Sequence, residues 1–123
     1  MVLVDTSSWI EALRKDGRGD VRERVEELLT EGEVVACDFV WLELWNGARG
    51  EKEKKRLREI EQTIPTVETT KETWQRACEL ARRCRGSGHT VPATDILIVA
   101  CALTHGLETE HCDSHFDQIL DVA

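Results

Sequence analysis

The first nine residues read MVLVDTSSW (Met1–Trp9), and this stretch decides the fold. Val2-Leu3-Val4 is a short continuous apolar run, as a strand buried on both faces shows. The run stops at Asp5, and three hydroxyl residues, Thr6-Ser7-Ser8, follow it. Ser8 and Glu11 have the Ser-x-x-Glu spacing of a capping box, which predicts a helix starting at Ser8. The unit is strand, acid, hydroxyl-rich turn, helix. In open α/β sheets ligands collect beyond the carboxyl ends of the strands. A carboxylate placed there, next to helical N–H groups, is a candidate to hold a cation. Asp is also a preferred helix cap, so from this stretch alone capping explains Asp5 equally well.

Outward from this unit, strands and helices alternate. The first helix is predicted over Ser8–Leu13, and Lys15–Asp20 reads as a loop. Val21–Glu31 is amphipathic, with Val21, Val25, Leu28 and Leu29 on one stripe, and Gly32 stands where a helix ends. Glu33–Cys37 is a second strand. Asp38 is in cap position for a buried helix over Phe39–Arg49, whose Trp41 and Trp45 share one face and belong to the core or an interface. Glu51–Glu61 is a dense mixed-charge helix. It reads as a solvated face of paired charges, with a local basic rim for RNA phosphates as the rival reading. Ile64–Val67 is a weak strand, placed at an edge by Pro65. Thr70–Arg85 is a helix with Trp74, Ala77, Cys78 and Ala81 facing inward. Thr94 caps an apolar helix over Asp95–Thr104, which Gly106 ends. Leu107–Cys112 is the last strand and His115–Leu120 a short final helix. The order implies a three-layer α/β/α fold with a central, mostly parallel sheet and right-handed crossovers.

A chain of 123 residues without repeats or a long linker is expected to form one domain, 1–123. Its 41% hydrophobic and 33% charged content suits a soluble globular protein. No apolar stretch approaches membrane-spanning length and no cationic leader precedes the first strand, so a cytoplasmic protein is expected. The five cysteines are odd in number and include no Cys-x-x-Cys pair, which points to free thiols over disulfides. A net charge of −8 argues against a general nucleic-acid coat protein. It fits either an acidic cluster that binds a divalent metal or a surface whose partner is basic.

Four carboxylates stand out because each lies beside or within an apolar stretch. Asp5 follows Val2–Val4, and Glu43 lies inside Val40-Trp41-Leu42-Glu43-Leu44-Trp45. Asp95 precedes Ile96-Leu97-Ile98-Val99, and Asp113 follows the last strand. An isolated acid pressed into a core is costly, and several together repel. A divalent ion that favours oxygen ligands, Mg²⁺ or Mn²⁺, removes both difficulties. All four can point into one cleft at the strand carboxyl edge. Along an extended chain His111 alternates with Asp113 and is expected to lean the same way.

With these residues the chain resembles the PIN domain family, and most closely the VapC-type toxins of prokaryotic toxin–antitoxin pairs. The matching segments are Val4-Asp5-Thr6-Ser7-Ser8-Trp9, Glu43-Leu44 with Gly47-Ala48-Arg49, Thr94–Ala100, and Asp113-Ser114-His115-Phe116 with Ile119. Each is weak alone; four in order over nearly all of the chain are specific. The resemblance implies a metal-dependent ribonuclease using Mg²⁺ or Mn²⁺. It implies that Asp5, Glu43, Asp95 and Asp113 form the acidic quartet and that Ser7 is the hydroxyl beside the first acid. It also implies an RNA substrate, a homodimer and a small antitoxin partner. The chain departs from the pattern near its last segment, where His111 replaces a common threonine and Glu110 an apolar residue. Asp117, four residues beyond Asp113, could therefore assist or replace it.

Three rival readings accompany this one. His111, Cys112, Asp113 and His115 are zinc-type residues, though their spacing matches no standard structural site. A strand-end aspartate nucleophile would usually have a second acid two residues on, where this chain has Ser7. A PIN-fold binding module, acting mainly through protein contacts, would bind an antitoxin with little catalysis.

Overall fold

The computed structural model describes residues 1–123. Four short strands form one sheet in the order β3-β2-β1-β4, every pairing parallel: β1 (Val2–Val4), β2 (Val34–Cys37), β3 (Thr66–Val67) and β4 (Glu108–Glu110). Seven helices connect them: α1 (Thr6–Leu13), α2 (Gly19–Thr30), α3 (Asp38–Gly47), α4 (Gly50–Thr63), α5 (Lys71–Gly86), α6 (Ala93–Thr104) and α7 (Ser114–Val122). They lie on both faces of the sheet, giving three layers. α5, α6 and α7 pack on one another, while α1 packs on α2 and α3.

Parallel strands need crossovers, and crossovers cover both faces. The two central strands accordingly have no polar side: Leu3, Val4 and all four residues of β2 are buried. α6 is buried all round, with Ile96–Ala102 forming an unbroken run inside. A helix apolar on every side belongs in the centre of a fold, and the Phe116 and Ile119 side chains of α7 close the same core. Gly32 and Gly106 end α2 and α6 with φ of +69° and +66°, a region that suits glycine. The next residue's amide then turns back onto the helix, Glu33 N to Leu28 O and Leu107 N to Ala102 O.

Several boundaries differ from those expected. α1 begins at Thr6, because Asp5 and not Ser8 is its cap; Ser8 is buried inside the helix and forms no capping box. α2 starts earlier, at Gly19, and Asp38 lies in the first turn of α3, with Cys37 at the cap position. Thr70 does cap α5, accepting from Thr73 N at 3.2 Å. The buried row of α5, however, is Thr73, Leu80 and Cys84, and Trp74 is 54% exposed. Both rows recur at helical spacing and lie side by side, so the one that meets the core is a tertiary choice. Pro92, not Thr94, stands at the cap of α6. β4 is three residues long, not six. Its only neighbour, β1, ends at Val4, and the Asp5 N to Glu110 O hydrogen bond at 2.9 Å closes the ladder. α7 then starts at Ser114, capped by Asp113.

All five cysteines are free: Cys37, Cys84 and Cys101 are buried, Cys78 and Cys112 exposed. Trp41 is buried and its indole N–H donates to Thr66 Oγ1 at 2.8 Å, while half-buried Trp45 donates to Glu61. These rings tie α3 to its neighbours. No helix is long and apolar enough to cross a membrane.

Candidate metal centre

The site is built where β1 stops. Asp5 leaves the strand with φ −72° and ψ 158° and becomes the cap of α1. One carboxylate oxygen, Oδ2, accepts from Ser7 N at 3.0 Å and from the Ser7 hydroxyl at 2.6 Å. The other, Oδ1, is buried and has no hydrogen-bond partner. Capping thus uses one oxygen of Asp5 and leaves the other without a partner. Asp5 is 2% exposed. Burial pushes its carboxyl above the usual range, against the Ser7 hydrogen bonds, and the nearby Asp113 adds repulsion.

Ser7 joins both ends of the chain at this point. Its hydroxyl oxygen also accepts from Cys112 N at 3.3 Å, which fixes the segment that leads to Asp113. Asp113 caps α7, its Oδ1 accepting from His115 N at 2.9 Å. Asp95 sits in the first turn of α6. Burial, then repulsion from Asp5 and Asp113, pushes its carboxyl up to about 6, and the His115 ring opposes the rise. His115 Nδ1 lies 3.1 Å from Asp113 Oδ1 and 3.6 Å from Asp95 Oδ2. One ligand atom from each of Asp95, Asp113 and His115 lies within 4.8 Å of the others. Glu43 reaches toward this group from α3; the Thr6 hydroxyl donates to its Oε1 at 2.7 Å. It adds a weaker repulsion to Asp95, so the four acids share one electrostatic neighbourhood.

Residues 2–121 match the PIN domain family. The chain belongs to that family. Ribonuclease VapC11 of Mycobacterium tuberculosis is 31% identical over 123 residues, covering 97% of this chain and 91% of that protein. Among solved structures, FitAcB from Neisseria gonorrhoeae superposes with a TM-score of 0.77 at 22% identity, over 100% of this chain and 95% of that one. VapBC2 from Rickettsia felis, bound to a DNA fragment from its promoter, has a TM-score of 0.78 at 14% identity, over 99% and 96%. At those identities the two structures speak for the shared PIN fold alone.

In this PIN domain the residues expected on one side of the sheet are sorted clearly. Asp113 stands beside Asp95 and Asp5. Asp117 does not: it is 72% exposed and pairs with His111 Nε2 at 3.4 Å. His111 does not lean with Asp113. β4 has ended before it, so strand alternation does not reach residue 113; the ring stacks on Phe116, with centroids 5.0 Å apart and planes at 18°. The zinc foursome is not assembled either. Cys112 is exposed, His111 is turned to Phe116, and Asp113 and His115 of that set meet at Asp95.

Two residues of the site had no role in the sequence reading of the acids. Thr6 anchors Glu43, and its only signal was its place in the hydroxyl-rich turn. In the sequence His115 figures only as a zinc-type residue and within the segment Asp113-Ser114-His115-Phe116. Its spacing of two from a cap aspartate places it over the first turn, toward whatever packs there. The donor set fits a hard divalent cation. It holds several carboxylate oxygens, one of them buried without a partner, around a group whose mutual repulsion a cation would relieve.

Proposed function

We propose that this PIN domain, acting as a single unit over 1–123, is a metal-dependent endoribonuclease and the toxin of a type II toxin–antitoxin pair. The observation that carries the reading is the meeting of Asp5, Asp95 and Asp113, with Glu43 beside them, in a chain 31% identical to a VapC ribonuclease along almost all of its length. Asp5, Glu43, Asp95 and Asp113 are assigned as the residues that hold Mg²⁺ or Mn²⁺. Ser7 positions Asp5, and Thr6 positions Glu43. Such an ion, when bound, supplies an activated water and countercharge for the phosphodiester. The protein supplies placement: Ser7 holds one oxygen of Asp5 so that the other presents in a single direction, and the Asp113 cap fixes its carboxylate against the α7 amides. Asp95, pushed up to about 6, is ionised at neutral pH and adds its charge to the centre when a cation is present.

The partners follow the same reading: an RNA substrate, a small antitoxin that covers the acidic cleft, and a second copy of the chain. The homodimer is assigned to the apolar face of α3, α5 and α6, where Leu42 is 62% exposed and Trp74 half so, beside Phe39 and Leu97. The protein works in the cytoplasm, where its RNA substrates are.

The test is hydrolysis of an end-labelled single-stranded RNA. Fragments are expected with Mn²⁺ or Mg²⁺ and none with EDTA. Asp5→Asn, which keeps a capping oxygen, is expected to slow cleavage by about 100-fold or more, as loss of a key electrostatic group does. Equal turnover by that variant, or turnover in EDTA, would refute the assignment; an inert binding module would give no fragments at all.

A further inference from the structure

A second charged feature lies beside the acids and has the opposite sign. Between the end of α1 and the start of α4 is a cleft of about 540 Å³ lined by Arg14, Lys15, Arg22, Arg49, Lys52 and Arg56, with Asp16 and Glu53 the only acids in its wall. In a chain of net charge −8 this is a local reversal. Arg22 is locked by the backbone carbonyls of Ala12, Arg14 and Lys15, which fix its position and leave its charge uncompensated. Arg56 is shared with Glu26 and Glu59, at 3.4 and 4.0 Å. Arg14, Lys15, Arg49 and Lys52 make no ion pair, whereas Lys54 on the same helix is paired with Glu51. The Arg14 Nε is buried and has no hydrogen-bond partner. A buried, unsatisfied cationic donor costs free energy unless an acceptor arrives.

A narrow crevice of about 30 Å³ adjoins this cleft and reaches Glu43. Leu13, Arg14 and Glu53 line both, and Glu43 and Gly47 line the crevice alone. Arg14 thus stands in the wall that also carries Glu43. We infer that the cleft is a docking track for the phosphates of single-stranded RNA flanking the bond to be cut. Arginine forks match phosphate oxygens, and four of the six cations are arginines. An acidic peptide could use the same charges but would gain nothing by continuing to Glu43, whereas a polynucleotide must. This inference rests on the ribonuclease reading for its direction and deepens it by naming how the substrate is held.

The test compares two double variants, one at the start of α4 and one along it, with equal charge change. Arg49→Gln/Lys52→Gln removes exposed cations of the cleft; Lys55→Gln/Arg58→Gln removes exposed cations outside it. Anisotropy of a fluorescein-labelled 12-nucleotide RNA is read in EDTA over a salt series, and cleavage kinetics are read separately in Mn²⁺. The cleft variant is expected to lower the slope of log K against log salt by about 1.4, which is about 25-fold in affinity at 0.1 M salt. Its KM rises while kcat and Mn²⁺ affinity hold, and the outside variant binds RNA as the wild type does. RNA affinity and KM unchanged in the cleft variant overturn the inference. So does loss of binding to a labelled Asp/Glu decapeptide with RNA binding intact, which assigns the cleft to an acidic protein segment. Should the wild type bind RNA with this charge dependence yet cut none, the cleft stands and the nuclease reading fails.

Discussion

Replacing Asp95 with asparagine should make the metal-free protein more stable. Burial and the charges of Asp5 and Asp113 push the Asp95 carboxyl from 3.8 to about 6 in the folded chain. Its side chain is only 14% exposed, so solvent screens little of this. The folded state therefore keeps a proton that the unfolded chain has released between about pH 4 and pH 6. Stability falls as pH rises through that window, and the full cost is in place above it. At about 1.4 kcal/mol per pH unit the cost is about 3 kcal/mol at neutral pH. The amide keeps the shape and loses the charge, giving up about 0.5 kcal/mol of favourable interaction with the α6 N-terminus. For a domain of this size the net gain is about 8 °C in Tm. Calorimetric melts in EDTA at a series of pH values check it: the variant should melt higher at pH 7.5, by a much smaller margin at pH 4.5, and the advantage should be gone below the unfolded value of 3.8. Saturating Mn²⁺ should narrow or reverse the gap, because the ion stabilises the wild type more. A variant less stable in EDTA at pH 7.5, or a gap that ignores pH, would refute the electrostatic account of this site.

Glu43→Gln keeps an oxygen for the Thr6 hydroxyl and should lower Mn²⁺ affinity about tenfold by calorimetry; an unchanged affinity leaves Glu43 as an anchor for Thr6 only. Trp74→Glu puts a charge on the exposed apolar face of α5 without touching the core. It should give a monomer in sedimentation velocity with a nearly unchanged Tm, and a persistent dimer would move the interface elsewhere.

Much of this architecture could be read from local pattern. Val2–Val4 and Val34–Cys37 are continuous apolar runs because helices cover both faces of the sheet, and that signal survives in any window of a few residues. The acids at 5, 43 and 95 were visible for the same reason: each interrupts or borders a run that burial had already made apolar, whereas Asp113 follows Glu108–Glu110, a polar strand with no buried residue. What escaped was non-local. β4 stops at Glu110 because β1, more than a hundred residues earlier, is three residues long; nothing between 107 and 112 records that length. The orientation of His111 followed from the misplaced strand end. On α5 the choice between the rows through Thr73 and Trp74 depends on how the helix is rotated against α6 and α7. His115 joins the acids only because α6 and α7 start side by side.

The position of β1 between β2 and β4 also sets an order of events during synthesis. The ladder partner of Leu3 is Thr109, and the Ser7 hydroxyl is tied to Cys112, 105 residues away. Contacts of such long range form last, because the intervening loop must close before they repay its entropy. While a ribosome is still making this chain, Asp5 waits without Asp113, and the turn that aims it lacks its second tether. A nascent chain that stops short of residue 108 therefore holds Asp5, Glu43 and Asp95 without Asp113, and β1 without the strand that fixes its outer edge.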